Sequence, residues 1–306
     1  MPVPVYLPLV LGLALAVAAP RVVRSLPPPI AVWSLTLAAI VSASTWIASL
    51  GLIMSTAIDR TAFVAAHGHY SLAHWRHVDP VAVPAAIAAG VTLATCYLLL
   101  AIAMLREALA VREVRQLGRS LRDDGTVVFV EDSTPHAYAV GGRWPRIVVS
   151  SGLLRTLGAE ERRAVLAHES AHLRCRHHAH LRVLRLAAAV NPFLRPAVRA
   201  SVLAVERWAD EEAAVRLGDR TLVARTLVRA ALASNRTPTP SGALAYTAGD
   251  VSRRVAALLA APPRPRWSIV AASAIVIVGV VASPVYAADQ IGALLSAPCP
   301  TTSSAH

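Results

Sequence analysis

Long apolar stretches flank one long stretch of mixed character. Four apolar runs stand out, over about 3–19, 30–54, 81–105 and 268–287. A helix that crosses a bilayer needs about 20 apolar residues, and the last three runs meet that length without a charged residue. The first is shorter and carries Pro4 and Pro8. A cleaved signal peptide would have basic residues ahead of its apolar core; here Arg21 and Arg24 follow the run, so it is read as a retained helix.

Between 106 and 267 the pattern changes. Residues 106–121 continue the third run as a helix. Asp123-Asp124-Gly125 signals a turn, and 127–130 is a short β-rich run. Residues 137–140 and 147–149 read as two more strands, joined through Gly141-Gly142. From Ala159 the period becomes helical. One helix is expected to run to Val190, where Asn191-Pro192 stops it. A second starts at Pro196 and ends at Gly218. A third covers 221–233, and after a loop Asp250 caps a last short helix ahead of Pro262-Pro263. There is no internal repeat.

The expected fold is mainly α and integral to a membrane. About four transmembrane helices accompany one α+β domain, in which a small hairpin or sheet packs on the following helices. The layout is three membrane helices in 1–105, a domain at 106–267, a fourth membrane helix at 268–287 and a short tail at 288–306.

Composition agrees with a membrane protein. Of 306 residues 55% are hydrophobic and 16% charged, with a mean hydropathy of +0.52. That excludes a disordered tail or a nucleic-acid-binding arm. All 30 basic residues are Arg, so no P-loop, Schiff-base or Ser-x-x-Lys lysine exists. Arg to the exclusion of Lys, with so much Ala, is also associated with GC-rich bacterial genomes. Cys96, Cys175 and Cys299 are scattered and form neither a disulfide framework nor a Cys zinc site. Cys96 and Cys175 read as small packing residues.

Arg placement sets the expected orientation. Arg21 and Arg24 stand alone in the 20–29 loop, and 26 of the 30 Arg fall in 106–267. The positive-inside rule then puts that domain in the cytoplasm and both termini outside a bacterial cell membrane. The excess positive charge reads as contact with anionic lipid rather than with nucleic acid, since no basic motif interleaved with aromatics accompanies it.

The chemistry lies in His168-Glu169-Ser170-Ala171-His172. On a helix, positions 168 and 172 lie one turn apart on one face, so both imidazoles can reach one zinc ion. Glu169 stands beside them, placed to take a proton from water rather than to bind metal. Val165, Leu166 and Leu173 suit a buried face, while Glu161, Arg162 and Arg163 can face water. A catalytic zinc wants a third protein ligand and an open position. Glu206 on the next helix shares a stripe with Val202, Val205, Ala209 and Ala213, so it projects inward, where a carboxylate needs a cation. Asp210, one turn on, can accept the second ring N–H of a ligating histidine.

H-E-x-x-H followed by E-x-x-A-D on the next helix resembles the membrane-embedded gluzincins: the heat-shock HtpX type, the CaaX prenyl protease type and the BlaR/MecR signal-transducing metallopeptidases. Pro135-His136-Ala137-Tyr138-Ala139-Val140-Gly141 and Trp144-Pro145-Arg146-Ile147-Val148-Val149-Ser150-Ser151-Gly152-Leu153-Leu154 are similar to the hairpin before the zinc helix of the BlaR/MecR type. So is the layout of three spans, a zinc domain and a fourth span. The resemblance covers about 80–290, its specific part 135–212. It implies one Zn2+ per chain held by His168, His172 and Glu206, with Glu169 as general base and Asp210 supporting a ligand. It implies cleavage of a protein substrate, for which a winged-helix repressor is the model. BlaR/MecR transducers also carry a penicillin-binding sensor beyond the fourth span; here 19 residues follow Ala287 and no Lys exists to build its acylation centre.

Tyr138, Tyr246, His136 and nearby Arg are undifferentiated candidates for oxyanion stabilisation. His177, His178 and His180 read as polar residues at a membrane-near surface. His67, His69, His74 and His77 form a dense outer-loop group that reads as solvated or interfacial, with a metal-sensing role as the alternative. The functional expectation is a membrane zinc endopeptidase acting in regulatory signalling. The alternatives are an HtpX-like quality-control protease and, from another class, a metal-binding receptor without turnover.

Overall fold

The computed structural model describes residues 7–58, 83–120, 126–142, 145–234 and 248–261, with isolated residues between 267 and 289. Helices α1 (Leu7–Ser25), α2 (Pro28–Ile58) and α3 (Val83–Ser120) come first. Strands β1 (Val127–Val130), β2 (Ala137–Val140) and β3 (Arg146–Ser150) follow. Then come α4 (Ser151–Thr156), α5 (Ala159–Arg174), α6 (His177–Val190), α7 (Arg195–Leu217), α8 (Arg220–Ser234) and α9 (Ala248–Leu259).

Two of these helices are long and apolar enough to cross a membrane, over Pro28–Ser55 and Val83–Glu113. Only 17% of the apolar window in α3 is buried. Its Ile87, Val91, Leu98, Ile102 and Leu105 face outward, as lipid-facing residues do and the core of a water-soluble domain does not. The first apolar run is helix α1. The fourth, and the four-histidine loop, lie outside the described residues apart from isolated positions.

Helix α1 belongs to the protein's core. Ala19, Val23 and Leu26 are buried with Ala197, Ala204, Val205 and Trp208 of α7. Arg207 of α7 donates to the Val23 carbonyl at 2.6 Å, capping an end of α1 whose last carbonyls lack helical partners. Helices α6 and α7 form a hairpin about Asn191, and its tip rests against α2 and α3. Asn191 Nδ2 donates to Ser42 Oγ at 3.3 Å, and Cys96 Sγ meets the Val190 carbonyl at 3.1 Å. Helices α1 and α2 and the helices around the site thus share one packed core.

The sheet order is β1-β3-β2, with β1 parallel and β2 antiparallel to β3. The central strand carries Ile147, Val148 and Val149, all buried. Ser150 ends it and begins α4, its Oγ accepting from the N–H groups of Leu153 and His136. The Ser150 N–H donates to the His136 carbonyl. Alternation along the antiparallel pair then turns the N–H groups of Ala137 and Ala139 away from β3. Among the described residues, β2 is an edge strand.

One expected helix is two. The run from Ala159 breaks at Cys175-Arg176, where Arg176 adopts a left-handed conformation at φ 51°. Gly218, at φ 71°, ends α7 as its sequence predicts. Glu161 does not face water: it is 4% exposed. Its carboxylate accepts the Gly158 N–H at 2.9 Å, a helix-start contact, and pairs with Arg229 at 2.9 Å. The salt bridge to α8 is what draws it inside.

Candidate metal centre

Helix α5 supplies His168, Glu169 and His172, and α7 supplies Glu206 and Asp210. The two helices pack directly on each other. The alanines along their contact, Ala164, Ala167, Ala171, Ala209 and Ala213, are buried and let the backbones approach.

Nε2 of His168 and Nε2 of His172 are 3.1 Å apart. Glu206 Oε2 is 3.4 Å from the first and Oε1 is 3.6 Å from the second. Zinc–nitrogen bonds of about 2.0–2.1 Å in tetrahedral geometry require ligand atoms roughly 3.3 Å apart, so the three donors already have the right spacing. Two imidazoles and a carboxylate are also the donor chemistry that zinc accepts. Glu206 is 7% exposed, and Arg254 Nη1 stands 3.2 Å from its Oε2 without making a hydrogen bond to it. The residues present fit a metal ion.

Asp210 Oδ1 is 3.0 Å from His168 Nδ1, leaving Nε2 free for metal. Burial disfavours a charged His168, but the hydrogen bonds and charges of Asp210 and Glu206 outweigh it and lift its pKa to about 10. Burial pushes His172 down to about 4, with the positive charge nearby adding to the effect. Burial opposes ionisation of Glu206 and Asp210 too, yet His168 and Arg254 hold both below the ordinary carboxylate range.

Glu169 is the exception among the carboxylates: burial raises its pKa, while the Ala139 N–H and His168 pull the other way. The helix that carries Glu169 packs against the edge strand β2. Tyr138 is 41% exposed and stacks on His136 at 5.9 Å. Tyr246 lies outside the described residues.

The histidines after the motif differ from their sequence reading. His177 and His180 are buried, at 1% and 7% exposure; only His178 is on the surface. The break at Arg176 turns His177 back so that its Nδ1 is 3.0 Å from Nδ1 of His172. His180 Nδ1 is 3.1 Å from Thr36 Oγ1 on α2. Sequence reasoning also missed Arg254 on α9, which reaches both Asp210 and Glu206. A signal existed: Arg254 shares its helix face with Val251, Val255 and Leu258, the same kind of stripe that singles out Glu206.

Residues 105–191 match the model of peptidase family M48. The match supports a metallopeptidase of that family, whose members are zinc-dependent. It covers the sheet and the helix bearing His168, Glu169 and His172, and ends before Glu206. No curated protein and no solved structure gives a significant match to the chain.

Proposed function

We propose that the protein is an integral-membrane zinc endopeptidase that cuts a cytoplasmic or membrane-associated protein in regulatory signalling. The observation that carries the peptidase reading is the convergence of His168, His172 and Glu206 at ligand spacing, with Glu169 beside them. Bound zinc would be held by those three side chains and would supply Lewis acidity for the scissile carbonyl and its attacking water. Glu169 takes the proton of that water and delivers it to the leaving amine. Its half-buried setting, where desolvation raises its pKa, suits a group that must hold and release a proton. The free edge of β2 offers main-chain pairing to an extended substrate beside the base.

The membrane reading is supported by α2 and the outward-facing apolar side chains of α3. A cytoplasmic site is supported by the distribution of Arg. The signalling role, with a winged-helix repressor as substrate, rests on the resemblance of 135–154 to the BlaR/MecR type. A quality-control role like that of the HtpX type uses the same site on other substrates.

The test compares protein N termini across the host proteome with wild type and Glu169→Gln expressed equally. A Glu169-dependent terminus in one cytoplasmic regulator supports signalling. Many such termini in membrane proteins support quality control. None under any stress tried overturns turnover and favours a metal-binding receptor.

A further inference from the structure

Arg254 is 4% exposed, on a helix remote in sequence from the zinc-type motif. Its Nε and Nη2 donate to Asp210 Oδ2 and Oδ1 at 2.8 and 2.7 Å, a two-pronged contact. Its Nη1 is 3.2 Å from Glu206 Oε2. One guanidinium therefore holds a candidate metal ligand and also the carboxylate that orients another. Asp210 Oδ1 is shared between Arg254 Nη2 and His168 Nδ1, so the hold passes directly to His168.

The helix bearing this arginine is itself fixed. Arg220 of α8 donates to the carbonyls of Ala257 and Leu258 and pairs with Glu211 of α7. Leu258 is buried against Ala213, Ala214, Leu222 and Val223. Arg254 thus reaches the site from a rigid base.

We propose that Arg254 is a positioning residue of the metal centre. It sets the direction in which Glu206 presents its oxygens, and through Asp210 it fixes the ring and tautomer of His168. The bridge needs a planar fork: three of its nitrogens meet three oxygens on two side chains. A lysine ammonium carries the same charge but cannot span both carboxylates in that plane. Helix α9 then belongs to the metal centre, although it lies outside the stretch that matches the family.

This inference rests on the metal-centre reading, and the test separates the two. Zinc affinity is measured by chelator competition on the full chain in detergent, with thermal unfolding as the folding control. His168→Ala tests the reading itself; it should abolish the site, and unchanged zinc binding would overturn the reading. With that control satisfied, Arg254→Ala and Arg254→Lys should each raise the zinc Kd about 10- to 100-fold. Cobalt(II) in the Arg254→Lys protein should show an altered visible spectrum, reporting changed ligand geometry. Wild-type affinity and spectrum in Arg254→Lys would overturn the inference, because charge alone would then suffice. So would tighter zinc binding in Arg254→Ala, which would make repulsion between guanidinium and metal the dominant effect. Should Arg254→Ala fail to fold, the Lys variant decides.

Discussion

His177 Nδ1 lies 3.0 Å from Nδ1 of His172, so one of the two must donate and the other accept. When Nε2 of His172 faces a metal, its proton sits on Nδ1, and His177 becomes the acceptor. His177 then carries its own proton on Nε2, which is buried, has no hydrogen-bond partner and lies beside the Trp208 ring at a centroid distance of 4.8 Å. His172 is thereby oriented by a histidine as His168 is by Asp210. His177→Ala should raise the zinc Kd about 10-fold or more without loss of fold, measured by chelator competition and circular dichroism. Unchanged affinity would remove His177 from the site.

Glu169 makes no contact that a metal requires. Glu169→Gln should therefore bind one zinc per chain, read by elemental analysis, while peptide hydrolysis falls by about 10²–10⁴. Loss of the zinc together with the activity would make Glu169 a ligand and contradict its assigned role.

Glu161 gives the fold a dependence on pH. Burial works against its ionised form, but the Gly158 N–H and Arg229 hold its carboxyl below the ordinary glutamate value. A depressed folded-state pKa contributes stability above the unfolded value of about 4.3, and that contribution disappears as pH falls through the lower folded value. Glu161→Gln should therefore lower Tm at pH 7 by ~2–4 °C, for a contribution of ~1 kcal/mol. The gap between variant and wild type should close below about pH 4. A gap independent of pH would point to packing instead of charge.

Gly152 opens α4 against the turn that follows β1. A Cβ there would stand 2.2 Å from the Ser133 carbonyl oxygen, a backbone atom with little room to retreat. Gly152→Ala should destabilise the protein by ~1–3 kcal/mol, visible as a lowered midpoint of chemical unfolding. An unchanged midpoint would mean that the 131–134 segment can move aside freely.

The zinc-type face was legible because helical spacing alone brings His168 and His172 together, and because Glu206 interrupts an apolar stripe. The strands were legible from their β-rich runs and the paired glycines. The break at Arg176 was not, since an arginine in the left-handed region leaves no mark in the sequence comparable to glycine or asparagine. Losing that break also lost His177, whose burial depends on the change of direction. Glu161 misled because its partner Arg229 lies 68 residues away. Arg254 lies 44 residues from Asp210, and only tertiary packing joins them.

The N–H of Ala139 points away from β3, along an edge of β2 that no other described strand covers. The helix that bears Glu169 packs against this same strand. On the peptidase reading, an extended polypeptide that adds to the edge would run alongside the carboxylate, so that docking on the strand and delivery of a bond to the proton acceptor would be one event.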